Sequence, residues 1–153
     1  MREGRYGFKD GIRDSIPICL GYLSVSFAFG IFAFSSGLSV LEALLISMTN
    51  VTSAGQLAGV PIITMGGTLI ELAITEFVIN LRYALMSVSL SQKLDSTVSM
   101  LDRFIIAFVN TDEVFAVASD KEGKIGRNYL FGLIILPYLG WSTGTLLGAV
   151  AGN

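Results

Sequence analysis

The chain contains no histidine, which removes the commonest metal ligand and the commonest general base. Its one cysteine, Cys19, sits in an apolar run, so an intrachain disulfide is excluded and the thiol reads as a small hydrophobe. With no nucleophile–base pair and no metal-ligand cluster, the sequence predicts no enzyme, no metal and no cofactor. Charge is scarce too: 14% of the 153 residues are charged, against about 25% in a soluble domain. No basic run exceeds two residues and the net charge is −2, so nucleic acid is not an expected partner.

What the chain has instead is apolar length. Its residues are 52% hydrophobic, with a mean hydropathy of +0.69, which predicts a single integral membrane domain. The expected fold is all-α, a polytopic membrane helical bundle of about five hydrophobic segments, at 15–35, 43–67, 68–92, 104–119 and 128–152. The charged start, M-R-E-G-R-Y-G-F-K-D-G-I-R-D, leads into an apolar run longer than a signal h-region and lacks an A-x-A-like cleavage site, so it reads as a retained first helix. Ser15 to Phe34 gives 20 residues without a charge, the length a helix needs to cross roughly 30 Å of hydrocarbon. Pro17 lies near its expected start, where proline is tolerated.

Segment three carries the most expensive residues. Thr68 to Gln92 is long enough to cross a bilayer, yet holds Glu76, Asn80 and Arg82 near its middle, and a mid-bilayer charge costs roughly 2.5–3.5 kcal/mol. At about 100° per residue, Glu76, Asn80, Tyr83 and Ser87 form one polar stripe. Arg82 stands on another, with Glu71 and Thr75, so its counter-charge is expected from a different segment, at Asp112 or Glu113. The plainer alternative is that these groups only glue helices together.

Segments two and four are irregular. Ala43 to Ile70 has 28 residues without a charge, and Asn50, Thr52, Ser53, Gly55, Gln56, Gly59 and Pro61 crowd its centre. Such residues predict an unwound stretch over Ser53 to Gly59, with a kinked continuous helix as the alternative. Segment four is 16 residues, broken by N-T-D-E at Asn110 to Glu113, which could also be a solvated loop. Segment five holds Gly144, Gly148 and Gly152, a doubled G-x-x-x-G expected to pack on a neighbouring helix.

Four Lys or Arg residues precede segment one, two fall in 93–103 and three in 120–127, while 36–42 and 65–71 have none. The positive-inside rule places the N-terminus in the cytoplasm whether segments two and four cross or re-enter.

Helices crossing one bilayer bring their midpoints to one depth, so the polar centres of segments two, three and four are expected to form one solute site. Its expected members are Asn50, Ser53, Gly55 and Gln56, then Glu76, Asn80, Arg82 and Tyr83, then Asn110, Thr111, Asp112 and Glu113. Arg82 or a half-helix N-terminus suits a carboxylate, and Asp112, Glu113 or Glu76 an ammonium, with Phe77, Tyr83, Phe108 and Phe115 as the apolar surround. Three acids against one arginine require a cation or a bound proton, and Glu76 is the expected proton carrier.

A-G-Q at Ala54 to Gln56, I-N-L-R-Y-A-L-M-S at Ile79 to Ser87, N-T-D-E-V-F-A at Asn110 to Ala116 and G-W-S-T-G-T-L-L-G at Gly140 to Gly148 resemble the AzlC family of branched-chain amino acid permeases. The resemblance covers nearly the whole chain. It implies the large subunit of a bacterial inner-membrane exporter of leucine, valine and isoleucine, with methionine as a further candidate, driven by an ion gradient. It further implies a small AzlD-like membrane subunit as partner, with membrane lipid around it and a homo-oligomer possible. Family members usually continue past the G-W-S-T-G-T segment, so an end at Asn153 predicts a fragment or a short member. The rival reading is a structural or assembly subunit that transports nothing.

Overall fold

The computed structural model describes residues 6–153; Arg2 and Arg5, two of the four N-terminal cations, lie outside the described residues. Seven helices are present among them: α1 (Phe8–Ser35), α2 (Val40–Thr49), α3 (Ser53–Thr64), α4 (Leu69–Ser91), α5 (Met100–Phe108), α6 (Asp112–Asp120) and α7 (Arg127–Ala151). The only extended pairing described is an isolated bridge between Leu94 and Ile125, so the protein is all-α. By length and composition α1 and α7 can each cross a membrane.

Several helices start earlier than their apolar runs. In α2 and α5 the cause is a capping box: Ser39 with Glu42, and Ser99 with Asp102, exchange side-chain and backbone hydrogen bonds across the first turn. Each cap satisfies two orphan N–H groups and contributes about 1 kcal/mol. α1 begins at Phe8, so Pro17 falls well inside it, where it removes one backbone hydrogen bond.

The chain divides into two compact units. The α2–α3 unit comprises Leu20–Leu81 and Leu139–Asn153; the α5–α6 unit comprises Met1–Cys19 and Arg82–Tyr138. Helices α1, α4 and α7 therefore each contribute one part to either unit.

In the α2–α3 unit, α2 and α3 form a hairpin. Leu38, just before α2, shares one buried cluster with Ala43 of α2 and Val60 of α3, together with Phe29, Ala33 and Ala149. The turn is a three-residue break at Asn50, Val51 and Thr52. Ser53 to Gly59 is helical, contrary to the expected unwinding there. Its glycines serve close packing: a Cβ on Gly55 would overlap the Glu76 carboxylate, and one on Gly59 would lie 3.3 Å from both Glu76 Oε1 and Leu72 Cδ1. The same unit packs α7 on α1 through glycine, because any Cβ on Gly144 or Gly148 would overlap the Leu23 or Phe27 carbonyl, and Gly30 abuts Thr145 and Ala149. Gly152 has looser surroundings, with its nearest neighbours at 3.5 Å.

In the α5–α6 unit, α5 and α6 are likewise a hairpin whose two ends are tied together. Lys93 Nζ donates to the carbonyls of Ser119 and Lys121, and Ile125 N donates to Lys93 O at 2.9 Å. Arg127 Nε lies 2.9 Å from Asp102 Oδ1, and Lys121 Nζ lies 2.7 Å from Asp14 Oδ2. The start of α5, the end of α6 and the starts of α1 and α7 are thus held at one end of this unit. Gly11 and Gly132 give α1 and α7 their close approach here.

The two hairpins are built alike, sixty positions apart. Ser39, Leu41, Ile46, Asn50 and Ala58 recur as Ser99, Leu101, Ile106, Asn110 and Ala118, and Glu42 becomes Asp102. Each opens on a capping box, and each breaks at its asparagine.

Candidate functional site

In the α2–α3 unit the polar groups gather on Glu76. Asn50 Nδ2 donates to Glu76 Oε2 at 3.0 Å and Asn80 Nδ2 donates to the same oxygen at 2.8 Å. Gly55, in the first turn of α3, leaves room for the carboxylate against the backbone there. First-turn N–H groups have no partner within their own helix, so that turn is an electropositive surface. Glu76 has no ion pair among the described residues, and Asn80 Oδ1 is buried without a partner.

Gln56 belongs to a different cluster. Its Nε2 donates to Ser47 Oγ at 2.7 Å, and Ser47 Oγ lies 2.5 Å from Thr145 Oγ1, all three residues being buried. This chain of hydrogen bonds ties the hairpin to α7. Ser47 and Thr145 were not singled out from the sequence; small hydroxyl residues facing a neighbouring helix are the signal that could have found them. Ser53 is exposed.

In the α5–α6 unit the organising contact is the ion pair of Arg82 Nη1 with Asp112 Oδ2 at 2.8 Å. Asp112 is the first residue of α6, whose N-cap Thr111 accepts from Val114 N, so the carboxylate sits at the favourable end of that helix. Arg82 also donates to Tyr83 Oη at 3.0 Å and lies over its ring. The pair is about half exposed, at 48% and 46%. Asn110 Nδ2 donates to Ser87 Oγ at 3.3 Å. Asn110 and Thr111 are buried, so the break in segment four is not a solvated loop. Glu113 is exposed, and so are Phe77 and Phe108.

Of the twelve residues expected to share one site, Asn50, Ser53, Gly55, Gln56, Glu76 and Asn80 belong to the α2–α3 unit. Arg82, Tyr83, Asn110, Thr111, Asp112 and Glu113 belong to the α5–α6 unit. In each, the asparagine at the hairpin tip bonds to α4, Asn50 to Glu76 and Asn110 to Ser87.

The sequence matches the family model described as AzlC protein over residues 17–153. The chain belongs to the AzlC family. It is 31% identical to the inner membrane protein YgaZ of Escherichia coli over 98% of this chain and 63% of that protein. An uncharacterized membrane protein of Archaeoglobus fulgidus is 34% identical over 95% of this chain and 63% of its own length. Another from Helicobacter pylori is 27% identical over 100% of this chain and 68% of its own. This AzlC chain thus spans 63% of the length of the first two relatives. No solved structure matches it. As an AzlC member it is a membrane protein, and the Glu76 and Arg82–Asp112 clusters lie within the matched residues.

Proposed function

We propose that this chain is the large subunit of an inner-membrane exporter of branched-chain amino acids, coupled to the proton gradient and working with a small AzlD-like membrane subunit. Glu76 carries the reading. A carboxylate in the middle of an apolar helix, held only by amide N–H groups and a helix first turn, is a ready acceptor for a cation. A proton or an amino-acid ammonium meets that need. The half-exposed Arg82–Asp112 pair offers the complementary charges for a zwitterion, and exchanging partners with a bound solute leaves no charge uncompensated.

The hairpins support a topology in which α1, α4 and α7 cross while α2–α3 and α5–α6 return to the side they entered from. The N-terminus and the loops at 93–103 and 120–127 then share the cytoplasmic side, and the two loops on the other side carry no Lys or Arg. Long, exposed apolar residues on α4, among them Leu69, Ile70, Leu85 and Val88, suit lipid or the small subunit. Efflux of labelled leucine, valine, isoleucine and methionine from vesicles, with and without an AzlD-like subunit, tests the proposal. Gradient-dependent efflux of the aliphatic set is expected. No efflux of any of the four, together with no leucine-dependent thermal stabilisation, would turn the account to a non-transporting assembly subunit.

A further inference from the structure

Between the C-terminal half of α4 and α5 lies a cavity of about 290 Å³, at the small end of the range that holds drug-sized ligands. Its wall is mainly apolar, with Leu90, Leu94 and Ile106 buried around it. Two of its polar groups have unmet demands. Asn110 is 3% exposed and its Nδ2 is engaged by Ser87, while its Oδ1 is buried without a partner. Arg103, also on the lining, has no ion pair and no side-chain hydrogen bond among the described residues.

We infer that this cavity is a second binding site, for an aliphatic α-amino acid. The ammonium donates to Asn110 Oδ1, the α-carboxylate meets the Arg103 guanidinium, and the branched side chain lies among Leu90, Leu94 and Ile106. A lipid acyl chain fits less well, because its methylenes would lie against the unpaired carbonyl and leave it unmet. Asp112, the partner of Arg82, follows Asn110 by two residues in the chain. Arg103, in the first turn of α5, follows the loop that the proposed topology assigns to the cytoplasmic side, which makes the cavity the entry site for an export cycle. This rests on the reading of the solute as an amino acid.

The test uses the full chain in nanodiscs, in a Cys19→Ser background, with Ala107→Cys as a reporter on the cavity wall. Leucine should protect that cysteine from a soluble thiol reagent. Arg103→Gln should raise the leucine concentration for half-protection about tenfold or more, as loss of a charged hydrogen-bond partner does. Leucinol, which keeps the ammonium but lacks the carboxylate, should protect the parent reporter and the Arg103→Gln variant equally. Leucine binding that persists without any protection of the reporter overturns the cavity site and leaves the amino-acid reading standing. No leucine binding by the parent overturns both.

Discussion

Asn50 Nδ2 donates to Glu76 Oε2 at 3.0 Å, which ties the tip of the α2–α3 hairpin to the middle of α4. The bond is charge-assisted while Glu76 is ionised and weakens when a proton or an ammonium neutralises it. The occupancy of Glu76 is thereby linked to the grip on a hairpin tip. That linkage is the physical content of the proposed coupling.

The Arg82–Asp112 pair should obey the rule for charges with limited access to water, in which removing one partner is worse than removing both. Arg82→Ala and Asp112→Ala should each destabilise by an amount between the ~1 kcal/mol of an exposed pair and the ~3 kcal/mol of an unpaired mid-bilayer charge. Thermal melts of the purified protein should show the double variant recovering part of that loss. Strictly additive losses would show that the pair is not coupled.

This pairing was legible because Arg82 stands off the stripe of Glu76 and Asn80, so a second segment had to supply the acid. The breaks in segments two and four were legible from their polar residues, but the first was displaced. Gly55 and Gly59 weaken an isolated helix, and only the position of Glu76 beside them shows that they serve close packing. The early starts of α2 and α5 depend on Ser39–Glu42 and Ser99–Asp102, signals overshadowed by apolar run length. The sixty-residue recurrence was missed because few positions are identical, and the shared caps and tip asparagines make it visible.

Gly55→Ala should be more damaging than Gly59→Ala, because its methyl displaces the Glu76 carboxylate from Asn50 and Asn80. Beyond its overlap with Glu76, a methyl on Gly55 would stand 2.8 Å from Thr52 Cγ2 and 3.0 Å from Asn50 Nδ2, whereas the neighbours of Gly59 at 3.3 Å can yield. Overpacking of this kind costs about 1–3 kcal/mol. Melting temperatures of the two variants decide it, and equal shifts would contradict the tight seat described for Glu76.

The cap of α5 predicts a pH dependence. Hydrogen bonds from Ser99, helped by Arg127, hold the Asp102 carboxyl below the usual aspartate range. A lowered folded-state value means that the stabilisation is fully present above the unfolded value of about 3.9 and is lost as pH falls through the folded one. Ser99→Ala should therefore reduce the acid-sensitive part of stability below about pH 4, with about 1 kcal/mol lost from the cap itself at neutral pH. Melts between pH 3 and 7 check this, and an acid limb identical to the parent's would place its origin elsewhere.

The most direct test of coupling through Glu76 is leucine efflux from proteoliposomes, measured with and without an imposed pH gradient, for the parent and for Glu76→Gln. Glutamine has the shape of the protonated acid but can neither gain nor lose the proton. The variant should still bind leucine while its efflux no longer responds to the gradient. Efflux that follows the gradient as steeply as the parent's would contradict that coupling.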